Sequence, residues 1–223
     1  LDKGGVEMKK QFVVIGLGRF GSSIAKTLYS LGHEVLAVDE SEELVADIVE
    51  HVTHAVQADA TDETSLKALG IRNFDVAIVA IGNDMQASIL VTLMVKEMGI
   101  DYVVSKAQND LHAKVLYKTG ADRVVFPERE MGVKVANNLV SSNILDYIEL
   151  SEDYSIVEIQ APSEWTGKNL AEINIRAKYG VNVMAIKRNA EINISPTAVD
   201  TIEEGDTLIV VGENEDLGSL GER

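Results

Sequence analysis

Gly16, Gly18 and Gly21 stand at G-x-G-x-x-G spacing in the stretch 12–28, FVVIGLGRFGSSIAKTL. Glycines at this spacing suit phosphate binding. The first permits a tight turn, the second lets the backbone approach a phosphate, and the third lets helix and strand pack closely. The amides of the following helix N-terminus then face the phosphates. Asp39 lies 18 residues beyond Gly21, at the end of the next apolar run. An acid there accepts hydrogen bonds from ribose hydroxyls and repels a 2′-phosphate, which disfavours NADP. The alternative is a packing-only glycine turn with Asp39 as a helix cap.

Arg19 sits inside the turn, where the first helical turn disfavours a cation by roughly 0.3–1 kcal/mol. A nearby anion reverses that sign, and a guanidinium fork suits terminal phosphate oxygens. A solvated surface arginine is the competing reading. Other polar residues fall at strand ends, the edge where open α/β sheets bind ligands. They are Asp59, the pair Ile81 and Gly82, Lys106, and Glu128 directly after Pro127. Lys106 could meet an anion, and Glu128 a cation or a metal bound to phosphate. Helix caps or surface ion pairs would explain both equally.

Catalytic groups are scarce. The histidines are His33, His51, His54 and His112, and of these only His112, at a helix start near Lys106, falls close to a bound nucleotide. The sequence contains no Walker lysine motif, metal-binding His pair or nucleophile elbow. The residues therefore point to a nucleotide-binding module without catalysis, with an NAD-dependent oxidoreductase as the rival reading. Cysteine is absent, which excludes disulfides and thiol chemistry and makes the cytoplasm the expected compartment. The formal net charge of −16 argues against nucleic-acid and anionic-membrane partners. No apolar run approaches the ~18 residues of a membrane span. Residues 1–7, LDKGGVE, read as an unstructured extension or expression remnant.

The elements that must carry these residues alternate strictly. Strands are expected over 11–16, 34–39, 54–59, 75–82, 101–107 and 123–126, with amphipathic helices between them. Ser41 and either Thr61 or Asp62 read as N-caps, and Gly32, Gly70, Gly99 and Gly120 as helix stops. The expected fold is α/β, a doubly wound parallel Rossmann sheet spanning 8–142. Residues 143–150 look like a polar connector. A smaller α/β unit follows over 151–223, with strands from SIVEIQA, VNVMAIKR, EINISP and DTLIVVGE and one helix over NLAEINIRAKYG. Within the helix 128–142, Met131, Val135 and Leu139 recur every four residues while Val133 and Val140 lie on other faces. That exceeds one buried stripe, so this helix is expected to pack on two bodies and to build an oligomer. Burial within its own domain is the alternative.

The stretches GLGRFG, VDE, ADATDE, VAIG, KAQND, PEREMG and IRAKYG occur in the order found in the cytosolic regulatory subunits of bacterial Ktr potassium-uptake systems. From Met8 to about Gly212 the chain resembles that family, part of the Trk/RCK group of regulators of potassium conductance. The resemblance implies rings, usually octamers built from dimers, on the cytoplasmic side of an integral membrane potassium-translocating subunit. It implies ATP, ADP or NAD(H) in the Rossmann domain, with nucleotide exchange changing ring shape and gating ion flux. The nucleotide residues it implies are Gly16, Gly18, Arg19, Phe20, Gly21, Asp39, Glu40, Asp59, Ala60, Ile81, Gly82 and Lys106. Arg19 would reach a terminal phosphate across the dimer interface, and Glu128 would hold Mg2+ or another cation near the phosphates. Several relatives bind cyclic di-AMP in the C-terminal domain. The matching residues here are Ile175, Arg176, Ala177, Tyr179 and Pro196.

Overall fold

The computed structural model describes residues 9–140, 144–151, 153–189 and 191–221. The leading extension and the expected helix end at Ser142 lie outside the described residues. The chain divides into two compact units, 1–127 and 128–223.

The first unit is a parallel sheet in the order β3-β2-β1-β4-β5-β6. Its strands are β1 (Gln11–Ile15), β2 (Glu34–Asp39), β3 (His54–Gln57), β4 (Val76–Val79), β5 (Tyr102–Lys106) and β6 (Arg123–Val125). Between them run α1 (Arg19–Ser30), α2 (Glu42–Ala46), α3 (Glu63–Ala68), α4 (Met85–Glu97) and α5 (Asp110–Lys118). The chain reverses direction across the sheet between β1 and β4. This makes a doubly wound Rossmann sheet with its switch point beside the glycine turn.

The unbroken apolar runs follow from burial on both faces. Val13, Ile15, Leu36, Val38, Ala77 and Val79 pack on one side with Val91, Met94 and Val95 of α4. Val14, Val35, Ala37 and Ile78 face the other side, against Phe20, Ile24, Ala25 and Leu28 of α1. Register aligns Val14 with Ala37 of β2 and Ile78 of β4. Ser41 caps α2 and Asp62, rather than Thr61, caps α3.

The second unit begins with α6 (Pro127–Val140), whose Pro127 closes the first unit. Its antiparallel sheet has the order β10-β9-β11-β8-β7. The strands are β7 (Ile144–Glu149), β8 (Tyr154–Gln160), β9 (Asn182–Arg188), β10 (Glu191–Asn193) and β11 (Thr207–Glu213). Short helices α7 (Leu170–Ile173) and α8 (Ile175–Tyr179) precede β9, and α9 (Asn214–Gly221) packs against β8 and β11. Val157, Ile159, Trp165, Ile186, Leu208 and Val210 are part of the core on its covered face.

Three expectations are corrected here. The segment read as a connector is mostly β7, paired antiparallel with β8. A polar edge strand is held by its neighbour's backbone, so its composition resembles a loop. The helix 128–142, assigned to the Rossmann domain, groups with the second unit. The single helix expected over 169–180 is two, because Asn174 adopts φ 52°, a left-handed conformation that ends α7.

Candidate functional site

The three glycines do three different jobs. Gly16 has φ +94°, and a Cβ there would come within 3.0 Å of the Ala80 and Ile81 backbone, so the loop after β1 passes close to the loop after β4 only with glycine. A Cβ on Gly21 would sit 1.8 Å from the Gly16 carbonyl oxygen, so α1 reaches β1 this closely only with glycine. Gly18 meets nothing within 4 Å of its Cβ position. It is the N-cap of α1, with no side chain accepting from the helix amides. The turn is thus closed at its ends and open at its centre, where the first amides of a twelve-residue helix emerge.

Asp39 secures this turn. Its Oδ2 accepts from the Leu17 N–H at 2.6 Å and its Oδ1 from the Ser41 N–H at 2.9 Å. It is therefore not the cap of α2, the role that falls to Ser41. Each carboxylate oxygen keeps a further lone pair for a ribose hydroxyl. The bond to Leu17 escaped the sequence reading, since a backbone donor inside a turn leaves no residue signature. Glu40 follows, exposed, at the β2 edge of the crevice. The Ser22 hydroxyl donates to the Leu17 carbonyl at 2.6 Å and braces the same turn from the helix side.

Arg19 is the first residue of α1, exposed, with no ion pair among the described residues. Phe20 turns inward against the α1 face of the sheet. At the β3 end, Asp59 is tied to its own turn, accepting from the Thr61 N–H at 2.8 Å and the Thr61 hydroxyl at 2.6 Å. Ala60 beside it is buried. Hydrogen bonds from the Ser65 hydroxyl and the Thr64 amide hold the Asp62 carboxyl below the usual range.

Ile81 and Gly82 follow β4, and a side chain on Gly82 would come within 3.3 Å of the Lys106 ammonium. The structure thus brings Gly82 and Lys106 together. Gln108, which sequence reasoning passed over within KAQND, bridges the same two loops by donating from its side-chain amide to the Gly82 carbonyl.

His112 sits differently from expectation. His112 is 0% exposed, so its ring offers no acid or base to a ligand in the crevice. Glu128 lies in the first turn of α6, at the start of the second unit. Among the described residues no three His, Cys, Asp or Glu side chains converge as a metal cage.

In the second unit, Arg176 and Ala177 are exposed and Tyr179 and Pro196 half-buried. Ile175 is 4% exposed and belongs to the core, so it offers little surface to a ligand. Tyr179 stacks obliquely on Trp165 and lines a cleft of about 580 Å³ together with Lys168 and Lys178. Arg188 was also missed. Its Nε and Nη2 grip the two oxygens of buried Asp206 at 2.8 Å, and its Nη1 reaches Glu203.

Residues 12–127 match the TrkA-N domain family and 154–223 the TrkA-C domain family. The chain is 53% identical over 216 residues to Ktr system potassium uptake protein C of Bacillus subtilis, covering 97% of this chain and 98% of that one. It is 52% identical to Ktr system potassium uptake protein A of the same organism, covering 93% and 94%. The solved GsuK channel bound to NAD shares the fold, with a TM-score of 0.63 and 17% identity. That match covers 95% of this chain and 39% of the channel chain. With both domains matched in order and half of its residues identical to these relatives, the chain belongs to the Ktr potassium uptake protein family, built from a TrkA-N and a TrkA-C domain.

Proposed function

We propose that this chain is a nucleotide-sensing regulatory subunit of a potassium-uptake system. The observation that carries the nucleotide part is the open face of Gly18 at the sheet's switch point, between two glycines that are packed shut. A diphosphate fits that opening: backbone amides receive it, Asp39 stands at the ribose position, and Arg19 and Lys106 supply charge toward terminal oxygens. ATP, ADP and NAD(H) share this part. Relatedness to potassium uptake proteins along nearly the whole chain supports the transport role.

The subunit acts without catalysis. Burial of His112 supports this, since it removes the one histidine expected near the nucleotide. Its partner is an integral membrane potassium-translocating protein, reached from the cytoplasmic face. Among the described residues no helix is long and apolar enough to cross a membrane, consistent with a separate partner that does. Copies assemble as dimers and then an octameric ring, with α6 at an interface. Met131, Val133, Val135 and Leu139 are all exposed along it, which supports that role. Nucleotide exchange changes the ring's shape and gates flux, with Mg2+ or another cation beside Glu128. The functional division proposed is a nucleotide sensor in the Rossmann sheet and a second sensor in the antiparallel unit, which takes in β7. In the latter, cyclic di-AMP would meet Arg176, Ala177, Tyr179 and Pro196, with Ile175 supporting them from the core.

The test is calorimetric titration of the full chain with ATP, ADP and NADH, alongside a hydride-transfer assay. Micromolar binding without turnover is expected. Absence of binding by all three would refute the sensor reading, and turnover of NADH would favour an oxidoreductase.

A further inference from the structure

His112 is the third residue of α5, and its backbone N–H donates to the Asn109 cap at 2.9 Å. Its ring is fully buried. Nδ1 accepts the backbone N–H of Gln108 at 3.3 Å, so a neutral ring carries its proton on Nε2. That Nε2 has no hydrogen-bond partner among the described residues. The acceptor at Nδ1 is therefore the ring's one polar contribution. A phenylalanine would supply the apolar packing without burying an unpaired N–H. What Nδ1 holds is Gln108, and the Gln108 side chain spans to the Gly82 carbonyl. Ala107, just before it, is fixed to β6 through the Val125 carbonyl at 3.0 Å. The loop that carries Lys106 past Gly82 is thus pinned at three successive points: the β6 strand, the Gly82 carbonyl and the His112 ring.

We propose that His112 is a positioning residue of the nucleotide crevice, acting from the core through Gln108 on the placement of Lys106 and Gly82. The inference rests on the nucleotide reading above. The ring must stay neutral to accept. Burial holds the imidazole below the ordinary histidine range, which keeps it so at neutral pH. The helices and strand around it carry Asp110, Lys114 and Lys118 on α5, Lys96 and Glu97 on α4, and Arg123 on β6. Neither these nor Lys106 contributes to that shift, whose cause is burial alone.

The test uses the full chain with two substitutions. His112→Phe keeps a buried ring and deletes the acceptor. His112→Asn keeps an acceptor near the Nδ1 position but leaves a void. ATP affinity by calorimetry should fall about fivefold in His112→Phe and stay within twofold in His112→Asn. Thermal stability should fall more in His112→Asn. A merely structural histidine gives the opposite order, with affinity following stability. If His112→Phe does not fold, the pH profile decides. Wild-type affinity should drop as pH falls below the ordinary histidine range, more steeply than in His112→Asn, the nucleotide's own titration being common to both. Parallel profiles, or wild-type affinity in His112→Phe, would overturn the assignment. A wild-type chain that binds no nucleotide would instead overturn the reading on which it rests.

Discussion

Alanine at Gly21 and alanine at Gly18 should separate folding from nucleotide binding within one turn of chain. A methyl on Gly21 falls 1.8 Å from the Gly16 carbonyl oxygen and 3.1 Å from the Ala80 Cβ. Contacting heavy atoms normally lie about 3.5–4.0 Å apart, so roughly 2 Å of movement is required. Gly16 cannot supply it. Its N–H is bonded to the Val38 carbonyl at 2.9 Å, and its own Cβ position already meets the Ala80 backbone at 3.0 Å. The first turn of α1 must then lift from β1 and loosen Phe20, Ile24 and Ala25 from the core. Overpacking costs about 1–3 kcal/mol, and an obstacle made of backbone places Gly21→Ala at the upper end, about 3 kcal/mol. For a chain of this size that is roughly 6–12 °C in Tm. Gly18 has φ −61° and open space, so Gly18→Ala should change stability by less than about 1 kcal/mol. Its methyl would nonetheless occupy the phosphate's place and weaken ATP at least tenfold, about 1.4 kcal/mol. Urea unfolding and calorimetric titration of both variants give the answer. Wild-type stability in Gly21→Ala would refute the packing argument, and wild-type ATP affinity in Gly18→Ala would remove the phosphate from this face.

Arg19→Ala should weaken ATP more than ADP by about 1–2 kcal/mol, on the scale of a charged hydrogen bond, and equal losses by calorimetry would sink a terminal-phosphate role. Arg188→Met strips both guanidinium donors from buried Asp206, leaving it the Glu203 N–H at 2.8 Å, and should cost about 2 kcal/mol, below the figure for a fully buried pair because the Arg188 side chain is 39% exposed. The Arg188 hydrogen bonds hold the Asp206 carboxyl below its usual range. That contribution is present above the unfolded value of about 3.9 and lost as pH falls through the folded one. Stability of the wild type should therefore decline more steeply than that of Arg188→Met below about pH 4, as read by urea unfolding at stepped pH. Light scattering of the wild type at micromolar concentration should give an oligomer, and Met131→Asp with Leu139→Asp should lower its mass. A monomeric wild type would exclude α6 as an interface.

The sequence by itself determined the Rossmann unit. A parallel sheet buried on both faces demands unbroken apolar strands, so Phe12–Ile15, Val35–Val38 and Val76–Val79 declare themselves. The glycine spacing and Asp39 were equally legible, because few residue types tolerate a positive φ or a 1.8 Å approach. Only the tertiary structure decided which partners those residues take. Asp39 turns to the Leu17 amide, and His112 turns inward to Gln108 rather than outward to a ligand. Ile175 goes to the core although its neighbour Arg176 is exposed. Strand β7 was invisible for a related reason. An edge strand is fixed by backbone hydrogen bonds to its neighbour, and backbone groups are the same in every residue, so nothing in ILDYIE distinguishes pairing with β8 from a connecting loop until β8 is in place.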